Sequence, residues 1–121
     1  MKNFTLDEWI EWQCKLHSTN MDFNLSRIKK VAAKLNVLKT KPIVFTVAGT
    51  NGKGSTVAIL ESILVENEYD VGSYTSPHLI NFNERIKINK ISAETKEICE
   101  AFEIIESSRG KISLTYFEFS T

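Results

Sequence analysis

Cysteine is scarce. Cys14 and Cys99 are the two thiols in 121 residues, and they are too far apart for a metal-ligand spacing and too few for a disulfide scaffold. The expectation is a reducing compartment, with both thiols as core filler. Net charge is also missing: 15 Lys and Arg stand against 15 Asp and Glu. A nucleic-acid binder that works through bulk charge is thereby disfavoured, because it needs cations in excess to displace phosphate counterions. No apolar run approaches the ~20 residues that span a bilayer. The first eight residues contain Asp7 and Glu8 and no apolar stretch, so they do not read as a signal peptide. Repeats, low-complexity tracts and an interdomain linker are absent too. The apolar content of 42% and charged content of 25% fit a folded globular chain rather than a disordered one. A cytoplasmic protein with neither membrane nor nucleic acid as partner is expected.

Local patterns divide the chain into a helical lead-in, residues 1–41, and an α/β segment, residues 42–121. Thr5 and Glu8 have capping-box spacing at the start of a helix over 5–17. Residues 18–24 read as a loop. Leu25, Ile28, Val31, Ala32 and Leu35 mark a second helix, and its interspersed Arg27, Lys29, Lys30 and Lys34 read as a solvated basic face. The β-branched run 43–47 suits a buried strand. A glycine-rich turn over 49–54 follows, then a helix ending near Asn67 and a strand over 70–74. Strand, loop, helix, strand is a βαβ unit, which predicts a parallel sheet. A short strand over 84–89 and a helix capped by Ser92 and closed by Arg109 and Gly110 complete the pattern. Thr115 and Glu118 repeat the capping-box spacing three residues before the last one, and open sheet edges are costly. Both features predict the N-terminal piece of a longer protein.

Chemistry concentrates in Gly49, Thr50, Asn51, Gly52, Lys53, Gly54 and Ser55. A loop from a strand into a helix N-terminus aims free backbone N–H groups at one point, with the helix dipole behind them. Lys53 adds a point charge suited to phosphate oxygens. The loop departs from the usual phosphate-binding pattern. Two residues, not four, separate Gly49 from Gly52-Lys53, and Gly54 stands where a metal-binding hydroxyl is usual. Ser55 or an oxygen from elsewhere must replace it. Ser76, after the second strand, falls on the same carboxyl edge of the sheet and is one such oxygen. His78 nearby reads as an exposed residue beside a turn rather than as a catalytic one.

Three motifs in order, Gly-Thr-Asn-Gly-Lys-Gly-Ser, Tyr-Thr-Ser-Pro-His-Leu and Phe-Asn-Glu-Arg-Ile, resemble folylpolyglutamate synthase of the Mur ligase superfamily. Leu16-His17-Ser18 and Leu114-Thr115-Tyr116-Phe117-Glu118 extend the resemblance. The last is most similar to the bifunctional bacterial enzymes that also act as dihydrofolate synthase. The resemblance implies the N-terminal portion of a P-loop-type, three-layer α/β domain with a parallel sheet. It also implies an ATP-dependent ligase that adds L-glutamate to dihydropteroate or folates through an acyl phosphate. ATP is implied at the 49–55 loop and Mg²⁺ at Ser76. Dihydropteroate is implied at Thr115, Tyr116, Phe117 and Glu118, with Phe117 against the pterin ring and the loop at Met21, Asp22 and Phe23 as a further contact. A monomeric parent is expected. The family's later metal-binding glutamate, its histidine and its C-terminal domain have no counterpart in these residues, so the chain alone is expected to be inactive and no catalytic residue is assigned. The alternatives are a Mur-type ligase for a cell-wall precursor, which Gly54 and the Thr-Ser-Pro-His segment oppose, and a truncated nucleotide-binding protein without catalysis.

Overall fold

A computed structural model describes residues 2–39 and 42–121. The expected boundary at 41 falls on residues outside that description. The chain forms two compact units: the N-terminal segment up to Pro42 together with Lys96–Thr121, and Ile43–Thr95. The C-terminal residues thus pack with the helical lead-in.

The first unit is helical: α1 (Leu6–Lys15), α2 (Ser26–Lys34), most of α4 (Thr95–Arg109) and α5 (Tyr116–Ser120). Thr5 and Glu8 form the expected capping box on α1, and Thr115 and Glu118 form a second one on α5. Gly110, at φ 60°, takes the left-handed position that ends α4. An aromatic cluster fills the core. The Trp9 ring lies 5.8 Å from Phe102 and 6.2 Å from Phe119, and Phe4 meets it edge-on at 5.3 Å. Val31, Ile98 and Leu114 are buried in the same unit. Gln13 is buried as well, and its amide has no hydrogen-bond partner among the described residues. Cys14 corrects an expectation: it is exposed on α1 rather than in the core, and Cys99 is half-buried. On α1, Trp9 and Gln13 share the inward face at i and i+4, which turns the next residue, Cys14, outward.

The second unit holds α3 (Lys53–Glu66) and a sheet of β1 (Gly72–Tyr74), β2 (Ile86–Ile88) and β3 (Ile91–Ser92), in that order. Both pairings are antiparallel, with Gly72 opposite Ile88 and Lys87 opposite Ser92. The βαβ unit expected from the sequence would pair 43–47 with 70–74, and those two stretches are not paired among the described residues. Only Thr75–Arg85 joins β1 to β2, too short for the helical crossover that returns a chain parallel. Residues 43–47 run without strand pairing among the described residues, and Ile43, Val44 and Phe45 are exposed. Ser92 lies in β3 rather than at a helix cap, because Asn89 and Lys90 form a tight turn at φ 49° and 71°. Helix α4 starts three residues later, at Thr95. The buried Glu61 carboxylate of α3 accepts from Ser73 Oγ at 3.0 Å and Lys90 N at 3.1 Å, fixing the helix to the sheet.

Candidate functional site

In the second unit the glycine loop leads directly into α3. Gly52 is the N-cap at φ 75°, a left-handed conformation that favours glycine. The first intrahelical bond runs from Thr56 N to Gly52 O at 3.0 Å. The amides of Lys53, Gly54 and Ser55 therefore precede any intrahelical acceptor and point out of the helix end. Lys53 Nζ donates to Gly49 O at 2.6 Å and reaches Thr50 O at 3.5 Å. Gly49, Thr50, Asn51, Gly52, Lys53, Gly54 and Ser55 are all exposed. Gly54 has no positive φ, and a Cβ built on it meets nothing within 4 Å. The protein's own packing does not require glycine there. The arrangement suits an anion with several oxygens.

Past β1, Ser76 is exposed, and its peptide bond to Pro77 is cis. A bracket of side chains holds the segment that follows. The Glu84 carboxylate accepts from the backbone amides of Leu79 (2.8 Å), Ile80 (3.0 Å) and Asn81 (2.8 Å). The Asn81 amide above all, then those of Leu79 and Ile80, hold this carboxyl below the usual carboxylate range. Asn83 Nδ2 donates to Ala93 O at 2.6 Å. Buried Arg85 donates from Nε to His78 Nδ1 at 2.7 Å, and its guanidinium lies 5.3 Å from the Phe82 ring. His78 is therefore a half-buried hydrogen-bond partner rather than the exposed residue expected. The Phe-Asn-Glu-Arg motif acts as the brace of the Ser76 turn. Sequence reasoning did not assign it that task, although Asn81 and Glu84 carry a capping spacing. Among the described residues no group of three or more His, Cys, Asp or Glu is placed to hold a metal ion. The hydroxyl of Ser76 is a hard oxygen donor, which fits a Mg²⁺ ion that keeps its waters and takes most of its other ligands from a nucleotide's phosphates.

In the first unit, a second polar cluster forms around Arg27. Its Nη1 donates to Asp22 Oδ2 at 2.6 Å, and its Nη2 contacts both carboxylate oxygens of Glu118 at 3.1 Å. His17 Nε2 lies 3.7 Å from Asp22, and His17 Nδ1 lies 2.9 Å from Ser113 Oγ. The Asn24 amide, then Arg27, keep the Asp22 carboxyl below its usual range, and Asp22 and Glu118 raise that of Arg27. The structure thus joins Asp22 to the 115–118 segment through a residue the sequence reading placed on a solvated face. Arg27 is half-buried because two carboxylates flank it, whereas Lys29, Lys30 and Lys34 are exposed as expected. Thr115 and Glu118 are buried in their capping box; Tyr116 is half-buried; Phe117, Met21 and Phe23 are exposed.

No protein-family model matches the chain. Similarity to known proteins is nonetheless extensive. The dihydrofolate synthase/folylpolyglutamate synthase of Escherichia coli is 49% identical over 116 residues, 96% of this chain and 28% of that protein. The structure of Escherichia coli FolC in complex with DHPP and ADP superposes with a TM-score of 0.93 at 47% identity, covering 98% of this chain and 28% of that one. The bifunctional enzyme of Yersinia pestis, complexed with AMPPNP and Mn ion, gives 0.89 at 45% identity over 97% of this chain and 28% of that one. The chain spans between a quarter and a third of these relatives. No helix among the described residues is long and apolar enough to cross a membrane. In sequence and in its Mur-ligase-type α/β fold, the chain is similar to about 28% of the length of the bifunctional dihydrofolate synthase/folylpolyglutamate synthases.

Proposed function

We propose that this chain is the ATP-binding N-terminal part of an amide ligase that adds L-glutamate to dihydropteroate or a folate. The observation that carries the reading is the exposed loop at the α3 N-terminus, with outward amides, Lys53, and a Gly54 that the protein's own packing leaves unexplained. Similarity to proteins solved with ADP or AMPPNP supports it. Under this reading the amides of Asn51 to Gly54 and the Lys53 ammonium hold the triphosphate, with Gly49, Thr50 and Ser55 shaping the loop.

A carboxylate resists attack by an amine. Its oxygen attacks the γ-phosphorus of ATP, ADP leaves, and the resulting acyl phosphate is attacked by the amine of glutamate, which loses a proton as phosphate departs. Such phosphoryl transfer needs chiefly positioning and charge neutralisation. Mg²⁺ bound at Ser76 would supply neutralising charge at the phosphates. Asp22 and Thr115 to Glu118 would line the pterin site, with exposed Phe117 offering a face to the flat ring. Residues 42–121 would form part of the ATPase domain of a cytoplasmic, monomeric parent that uses no nucleic acid.

Calorimetric titration of an ATP analogue with Mg²⁺ into the chain tests the loop. Lys53→Ala is expected to weaken binding about tenfold, the worth of a charge-assisted hydrogen bond. Equal affinities would remove Lys53 from the site. For the reaction, the full-length parent should release phosphate only when dihydropteroate and glutamate are both present. The 121-residue chain alone should release none.

A further inference from the structure

We infer that Arg27 is a positioning residue that locks the 18–24 loop against α5 and so sets the spacing of the pterin site; the inference rests on the substrate reading above. Asp22 and Glu118 lie on segments 96 residues apart in the sequence, yet one guanidinium holds both, at 2.6 Å and 3.1 Å. The planar fork makes this possible, since its two terminal nitrogens serve two carboxylates at once.

Each anchored carboxylate has an exposed aromatic neighbour. Phe23, 87% exposed, follows Asp22, and Phe117, 54% exposed, precedes Glu118. Neither ring is held by the core of its unit. Their separation is governed by the backbones that carry them, and Arg27 joins those backbones. The Asp22 end is further fixed by its bond from Asn24 N at 2.8 Å, and the Glu118 end by its bond from Thr115 N at 2.9 Å. Each carboxylate is oriented by a bond within its own segment, and Arg27 fastens the 18–24 loop to α5 through them. The guanidinium is the bridge; contact with substrate is left to the neighbours.

Two measurements test this. In the full-length ligase, Arg27→Met is expected to raise KM for dihydropteroate about tenfold, the cost of losing charge-assisted bonds that position a site, with KM for ATP within about twofold. Arg27→Lys keeps the charge without the fork and is expected to fall between. In the 121-residue chain, chymotrypsin should cut after Phe23 about tenfold faster in Arg27→Met, because cleavage needs local opening. Cutting after Tyr69, exposed in the other unit, should keep its rate and report any general loss of stability.

Unchanged pterin KM in both variants overturns the inference. So does a parallel rise in both KM values, or acceleration at Phe23 no greater than at Tyr69. Should Arg27→Met fail to fold, Arg27→Lys carries both measurements. A parent with no glutamate-dependent activity on dihydropteroate sinks the functional reading, and the proteolysis then decides the lock alone.

Discussion

In the unit that joins the N-terminal segment to Lys96–Thr121, Trp9, Leu114 and Phe119 are at most 1% exposed. In Ile43–Thr95, Phe82 is the one buried apolar residue among those described, while Ile43 is 87% exposed and Leu79 92%. Composition does not explain the contrast, since Val57, Ile59, Leu60, Ile63 and Leu64 place apolar side chains all round α3. A helix apolar around its circumference suits the interior of a multilayered domain. The first unit closes a core from its own residues. The second is a layer whose apolar surface, with the unpaired 43–47 run, suits cover by further elements.

The largest expected effect sharpens that contrast. Trp9→Ala should cost about 3–5 kcal/mol of the first unit's stability, the usual range for a buried tryptophan. Ile43→Ser should change stability by less than about 0.5 kcal/mol. Denaturant titrations giving equal losses would erase the distinction.

Next comes acid. Glu84 is held below its ordinary value near 4.5 by backbone amides. A carboxyl whose folded pKa is depressed contributes stability above its unfolded value, and that contribution is lost as pH falls through the folded one. The amides of Leu79, Ile80 and Asn81 should therefore lose protection as pH falls below the ordinary carboxylate range, the loss levelling off once the folded carboxylate is itself protonated. Hydrogen exchange followed by NMR reads this directly. Glu84→Gln should show the faster exchange already at neutral pH, while amides of the Trp9 core stay protected.

The smallest change has the opposite sign. Gln13 is buried with neither amide atom partnered among the described residues. Gln13→Leu should stabilise the first unit by about 1 kcal/mol, because an unsatisfied polar group leaves a core. A thermal scan showing destabilisation would mean that the amide has found a partner, such as ordered water.

What the sequence made legible was local. Both capping boxes span four residues, and both formed, because the donor, the acceptor and the helix they start lie within one turn. The strand character of 72–74 and 86–88 was readable from side-chain type. Pairing was not, since it depends on what lies between strands. The turn at Asn89-Lys90 escaped notice because a turn with two positive φ values usually announces itself by Asn-Gly, and lysine gives no such signal. The passage from the glycine loop into α3 was legible, being one continuous stretch, whereas the strand expected over 43–47 is not formed among the described residues. Arg27 was not, because its partners lie 5 and 91 residues away, and helical periodicity assigns such a cation to solvent.

Lys53 folds back on its own loop, bonded to Gly49 and drawn to Thr50. An incoming anion must therefore win a competition against two carbonyls before it gains that cation. Single small anions offer little to offset the exchange, whereas a chain of linked phosphates engages the helix-end amides at the same moment and tips the balance. Under the proposed ATP reading, the bend would thereby favour longer ligands, using no atoms beyond those of its own backbone and one side chain.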